Sequence, residues 1–213
     1  MTFEKMTVHK ALSELKIIDD RIYRAIDEAV FCVANKHSNE KIRGIPIKEF
    51  TEQMSSGYDK SSDLIKRRDA IKRAVVKSNA STNVEVGGVE YTVAEAIEMK
   101  NHGVELLQYL LANMRDQYKE AQAEVMKNNG KDLDSRAEQY VVGIYGSKDG
   151  RVDTDDFKKA KQDFIKSNSY ELVDPIHVKE KIEMLEDKIS TFISDVDSAL
   201  SVSNALTTVE ISY

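Results

Sequence analysis

From Val178 onward the apolar residues fall at Ile182, Leu185, Ile189, Phe192, Val196 and Ala199, stepping by threes and fours in alternation. That is a heptad seam, and it predicts one long helix. Pro175 stands at its start, where a missing N–H costs nothing, and Asp174 before it is the expected N-cap. A second seam runs through Ile97, Val104, Leu107, Leu111, Met114, Tyr118, Ala121 and Val125. It opens on Thr92 and Glu95, the spacing of a capping box, and stops at Asn128-Asn129-Gly130. The same reading gives a helix from Val8 to about Lys36 on Leu12, Leu15, Ile18, Ile22, Ile26, Ala29 and Val33. A fourth runs from about Tyr58 to Ser78 on Leu64, Ile71 and Val75.

Four such seams are buried only against one another, so the pattern predicts a mainly α fold, an elongated antiparallel bundle of four long helices. Each helix alone is marginal in water. Between them lie a loop with a short helix around HSNEKIRGIPIKEF, and two shorter helices around SRAEQYVVGIY and TDDFKKAKQDFI.

Nearly the same nine residues close two of the long helices: SNASTNVEV from Ser78 and SNALTTVEI from Ser203. Asn79 and Asn204 stand where a helix stop favours left-handed φ, and Thr82 and Thr207 open β-rich runs. Gly87-Gly88 followed by VEYT is a hairpin signal. Residues 83–86, 89–92 and 207–212 are therefore expected to form one small antiparallel sheet. The reading is an internal duplication of helix–helix–strand, with residues 1–91 and 92–213 as halves packed into one domain and clasped through their strands.

The stretch SNASTNVEVGGVEYTVAEAIEMKNHGVELL resembles the signature region of the septicolysin-like helical proteins of bacteria and their phages. That family's pattern maps onto Asn79, Ala80, Thr82, Gly87, Gly88, Thr92, Glu95 and Ala96. The later stretch from Tyr145 to Ile211 is similar to uncharacterised proteins of phages and prophages in Gram-positive hosts. The resemblance implies a phage or prophage origin and a self-associating helical protein. The pore-forming activity that the family's name suggests would need an amphipathic membrane segment, which the sequence lacks, and it is not carried over.

Composition narrows the classes. The chain has 213 residues, 41 % of them hydrophobic, enough to bury a core, and no apolar run of membrane-spanning length. The start MTFEKMTVHKAL has no secretory pattern, so the expectation is a protein of the virion or the host cytoplasm, with no membrane partner. A net charge of −6 makes nucleic acid an unfavoured partner. Cys32, alone in an apolar run expected to be helical, reads as core packing.

Candidate chemistry is sparse. Tyr145 to Phe157 has the outline of a calcium loop, but Tyr145 and Ser147 occupy positions where carboxylates belong, and a turn before a capped helix is the plainer reading. His9, His37, His102 and His177 stand apart, no Walker or dinucleotide motif occurs, and Asp19, Asp20, Asp195 and Asp197 read as solvated faces. Tyr109, Tyr118, Tyr140 and Tyr145 read as packing residues. The basic run IKRRDAIKRAVVK offers Arg67, Arg73 and Lys77 as phosphate partners, with the glycine loops at Gly87 and Gly146 as backbone donors. The alternative is a solvated face paired with the acidic helix around EDKISTFISDVD.

The sequence thus predicts no catalytic residue, metal or cofactor. Its first functional expectation is a non-enzymatic phage structural or assembly protein that associates with itself or with another phage protein. The second is a phage-encoded host-acting binding protein, a nucleotide-signal sponge or defence inhibitor, using Arg67, Arg73 and Lys77.

Overall fold

The computed structural model describes residues 2–146 and 155–213. Most of the calcium-loop outline lies outside the described residues. The fold is mainly α with small antiparallel β elements. In chain order it runs β1 (Phe3–Thr7), α1 (Val8–Glu28), β2 (Lys41–Ile42), β3 (Ile45–Pro46), α2 (Ile47–Ser81), β4 (Asn83–Val86), β5 (Val89–Thr92) and α3 (Val93–Glu98). A π-helical turn (Met99–Gly103) follows, then α4 (Val104–Asn128), α5 (Lys131–Tyr145), α6 (Asp155–Asn168), α7 (Val178–Leu206) and β6 (Thr208–Ser212). The chain forms two compact units, one of Met1–Gly103 with Thr191–Tyr213 and one of Val104–Ser190. The last strand thus returns to the N-terminal unit.

In the first unit, α1 and α2 pack along the expected seams. Ile18, Ile22, Ile71 and Val75 are buried, with Ala25 taking the place expected of Ile26. Met6, Val8, Ala11, Ile71, Val75, Val209 and Ile211 form one core cluster. Burying such side chains contributes roughly 1.5–3 kcal/mol each, far above the few tenths per residue that separate helix propensities.

The expected three-stranded sheet does not form. β4 pairs with β5 in one hairpin, and β6 pairs with β1 in a separate sheet. The missing partner is β1, in the residues just before the first helix seam. There Phe3 to Thr7 extends so that Met6 lies opposite Val209, and Val209 and Ile211 face the core on alternate positions.

The two nine-residue motifs nevertheless build the same local structure. The Thr82 amide donates to the Ser78 carbonyl at 2.9 Å, and the Thr207 amide donates to Ser203 at 2.9 Å. The Thr82 carbonyl accepts from Val93 at 2.8 Å, and the Thr207 carbonyl from Val8 at 2.9 Å. Each receiving helix is capped by a threonine: Thr7 Oγ1 accepts from the Lys10 amide and Thr92 Oγ1 from the Glu95 amide, both at 3.2 Å. The two copies even share a run, Thr7-Val8-x-x-Ala11 and Thr92-Val93-x-x-Ala96. In each copy a leading strand passes into a threonine-capped helix, and a long helix passes through a threonine into a trailing strand. The leading strand of each copy pairs with the trailing strand of the other.

Several local expectations are corrected. Asn79 and Asn204 lie inside helices, and the only non-glycine positive φ angles among the described residues are at Arg43 and His177. The stop is made by Thr82, which passes directly from helix to extended backbone at φ −94°, as a β-branched residue favours. α1 ends at Glu28, because the run Val30-Phe31-Cys32-Val33 is a poor helix former and the chain leaves extended at Ala29. Cys32 is consequently exposed. Glycine at position 57 of α2 admits this extended stretch, since a Cβ there would sit 3.1 Å from the Ala29 methyl. α2 in turn begins at Ile47, well before Tyr58. Finally, α7 begins at Val178, and Asp174 caps it from a turn away, accepting from the Val178 amide at 2.8 and 2.9 Å.

In the second unit, α5 and α6 pack on each other through Tyr140 and Phe164, whose ring centroids are 4.6 Å apart. Lys161 binds Asp134 at 2.9 Å and Glu138 at 3.3 Å. The hydrogen bond to Asp134 raises the lysine pKa above its ordinary value.

Candidate functional site

The densest polar arrangement lies where the two chain ends meet α2. Arg67, one of the expected phosphate partners, is 19 % exposed and its guanidinium is occupied within the chain. Its Nε and Nη2 donate to the two carboxylate oxygens of Glu14, the second at 2.9 Å. Nη1 reaches Glu4 Oε2 at 2.9 Å and donates to the Tyr213 hydroxyl at 2.6 Å. The same guanidinium carbon lies 5.1 Å from the Tyr213 ring centroid. Helix α1 supplies Glu14, strand β1 supplies Glu4, and Tyr213 follows β6, so one side chain ties four segments together.

The electrostatics follow from this geometry. The Arg67 hydrogen bond, with a second from Lys10, holds the Glu4 carboxyl below its ordinary value. Hydrogen bonding to Glu14 raises the Arg67 pKa, so the cation is locked in place. Two carboxylates already compensate it, and a phosphate would have to displace both. Arg67 is therefore a clasp between α1, α2 and the chain ends.

The structure does not gather the other expected ligand residues around it. Arg73 and Lys77 are exposed on later turns of α2. The basic run pairs instead with its helical neighbour α1 and with itself: Arg68 donates to Asp19 at 2.6 Å, and Lys66 to Asp63 at 3.0 Å. The expected pairing with the acidic stretch of α7 is not what these residues make. Gly87 and Gly88 form the β4–β5 turn at φ 60° and 76°, both left-handed as a type I′ turn requires. A Cβ at Gly87 would lie 2.8 Å from Thr191 Cγ2, so that loop is filled by protein. Thr92 and Glu95 make the expected capping box, with the Thr92 amide donating to Glu95 Oε2 at 2.7 Å.

Among the described residues, no group of three or more His, Cys, Asp or Glu side chains is placed to hold a metal ion. No buried side-chain nitrogen or oxygen among them lacks a hydrogen-bond partner. An open groove of about 620 Å³ lies where the end of α1 meets the start of α2, lined by Ala25, Val30, Phe50, Met54, Glu49 and Lys60 among others. It holds no convergent catalytic constellation. No helix among the described residues is long and apolar enough to cross a membrane.

Apolar side chains stand out on the helix surfaces. On α4, Leu106, Tyr109 and Leu110 occupy one face by their spacing and are 70 %, 72 % and 50 % exposed. Tyr109 thus does not pack within its own chain as a core residue. On α7, Val202 and Leu206 are likewise exposed one turn apart.

The sequence reading missed Glu4, Glu14 and Tyr213 as partners of Arg67. A signal existed for one of them: Val209, Ile211 and Tyr213 alternate, which places the last ring on the core side of a strand. Nothing in the spacing pointed to Glu4 or Glu14. No family model matches this chain, and no curated protein or solved structure matches it.

Proposed function

We propose that the protein is a non-enzymatic structural or assembly protein of a bacteriophage, which acts by associating with copies of itself or with another virion protein. The observation that carries the reading is the Leu106, Tyr109 and Leu110 face of α4, an apolar surface that a monomer leaves in water. The polar groups point the same way. Arg67, Arg68 and Lys161 are spent on internal ion pairs that hold segments together. The phage setting comes from the sequence resemblance. The rival reading, a host-acting binder of a nucleotide signal, loses its anchor because Arg67 is already compensated.

Two measurements test the proposal. Light scattering on the purified protein is expected to give a mass above that of one chain, and Leu106→Lys with Leu110→Lys to lower it. Mass spectrometry of purified virions is expected to find the protein in many copies. A monomer absent from virions overturns the reading.

A further inference from the structure

Between α1 and β2 the chain runs from Ala29 to Lys36 with no turn or bend, leaving the helix at φ −80° and ψ 146°. Val30, Phe31 and Val33 are strand formers, yet no strand among the described residues lies beside them. No backbone N–H or carbonyl from Val30 to Ala34 makes a hydrogen bond among the described residues. The bonds at either end belong to the neighbours: the Ala29 amide donates to Ile26, and the Asn39 amide to Lys36. No charge or proline falls between Ala29 and Asn35, although these are the usual means of keeping an exposed edge from pairing. Successive side chains also open onto different depressions. Val30 lines the open groove between α1 and α2, Phe31 lines another of about 430 Å³, and Met54 of α2 lines both.

We infer that this run pairs antiparallel with the same run of a second copy, about a two-fold axis at Cys32. In that register the run is complementary to itself. Val30 faces Ala34, Phe31 faces Val33, and Glu28, the last residue of α1, faces Lys36, each contact occurring twice. The centre of the pairing is apolar and its two rims carry opposite charges, an arrangement that fixes register as well as attraction. Both charges are available. Glu28 has only the exposed Lys60 beside it, at 3.8 Å, and Lys36 makes no ion pair among the described residues. Pairing supplies the open N–H and carbonyl groups with protein partners and shields the exposed Phe31 and Cys32 from water. The contact uses none of the residues of the Leu106, Tyr109 and Leu110 face, so each copy can hold two neighbours.

This inference rests on the self-association reading and names a second contact for it. Charge reversal tests it in the Leu106→Lys, Leu110→Lys background, where the α4 contact is removed. Glu28 and Lys36 are both exposed, so reversing them leaves the fold intact. Sedimentation at low salt is expected to show dimers of that background at protein concentrations on the order of 100 µM, since so short a pairing is weak. Glu28→Lys alone and Lys36→Glu alone are each expected to weaken dimerisation about tenfold, because each sets like charges against one another on both sides of the axis. Mixed in equal amounts, the two variants are expected to recover it as heterodimers, since the reversed side chains then face each other and so do the unreversed ones. A monomeric background, single variants that dimerise unchanged, or a mixture that fails to recover would each overturn the pairing. In all three cases, oligomers of the wild type leave the α4 contact standing. A wild type that is itself monomeric overturns self-association as a whole.

Discussion

The amide of Thr2 donates to the carbonyl of Tyr213 at 3.0 Å, and the amide of Tyr213 donates back to Thr2 at 3.4 Å. The first and last described residues are thus paired as if a hairpin turn joined them. The motif copy ending at Val86 has that turn, in Gly87-Gly88, and the copy at the chain ends does without it. In its place, Arg67 holds β1 through Glu4 and the end of β6 through Tyr213.

Arg67→Ala is therefore expected to destabilise the protein by about 2 kcal/mol, since it strands Glu14, only 15 % exposed, without its partner. Urea unfolding of Arg67→Ala, Glu14→Ala and the double variant measures the coupling. A coupling near zero would show that the ion pair adds nothing.

Acid is expected to weaken the fold through the carboxyls of Glu4 and Glu95. The hydrogen bond from Arg67 holds Glu4 below its ordinary 4.5, and the Thr92 amide does the same for Glu95. The unfolded chain then binds more protons, so this stabilisation is complete above that ordinary value and is lost as pH falls through the lower folded values. Melting temperatures taken from pH 6 down to about pH 3 are expected to drop less steeply in Glu95→Gln than in the wild type. Parallel curves would contradict it.

Gly87 and Gly88 are both left-handed, but their surroundings differ. Gly88→Ala faces open space and is expected to cost about 1 kcal/mol for the backbone alone. Gly87→Ala also meets Thr191 Cγ2 and is expected to cost about 2–3 kcal/mol. Adding Thr191→Ser, which removes that methyl, should return part of the difference. Thermal melts of the three variants decide it, and equal costs at the two glycines would contradict the contact.

The threonine caps of the two copies should behave alike. Thr7→Ala and Thr92→Ala are each expected to cost about 1 kcal/mol, because each leaves one helix-start amide without its acceptor. Denaturant midpoints compare them directly. A loss at only one site would mean that the copies are not energetically equivalent.

Much of the helical framework was legible because burial repeats along a helix. Ile182, Ile189, Phe192 and Val196 are the buried side of α7, as their spacing required. The capping box at Thr92 and the Gly87-Gly88 turn were legible for a similar reason, since each is a local rule completed within a few residues. The strand partner was not. β1 is five residues long, and Met6 is its one fully buried side chain, too little alternation to announce a strand. The helix stops misled because asparagine suggested a left-handed cap where threonine moves straight into a strand. The Arg67 cluster draws on positions 4, 14 and 213, and no sequence period links residues so far apart.

The account turns on which strand β6 pairs with, and cysteine trapping reads this directly. In a Cys32→Ser background at micromolar concentration, Lys5→Cys with Glu210→Cys is compared with Glu85→Cys with Glu210→Cys under mild oxidation. The chain ends facing each other predict rapid, near-complete intramolecular cross-linking of the first pair and none of the second. Cross-linking of positions 85 and 210 with none between 5 and 210 would mean that the two trailing strands meet each other, and would contradict the pairing of β6 with β1.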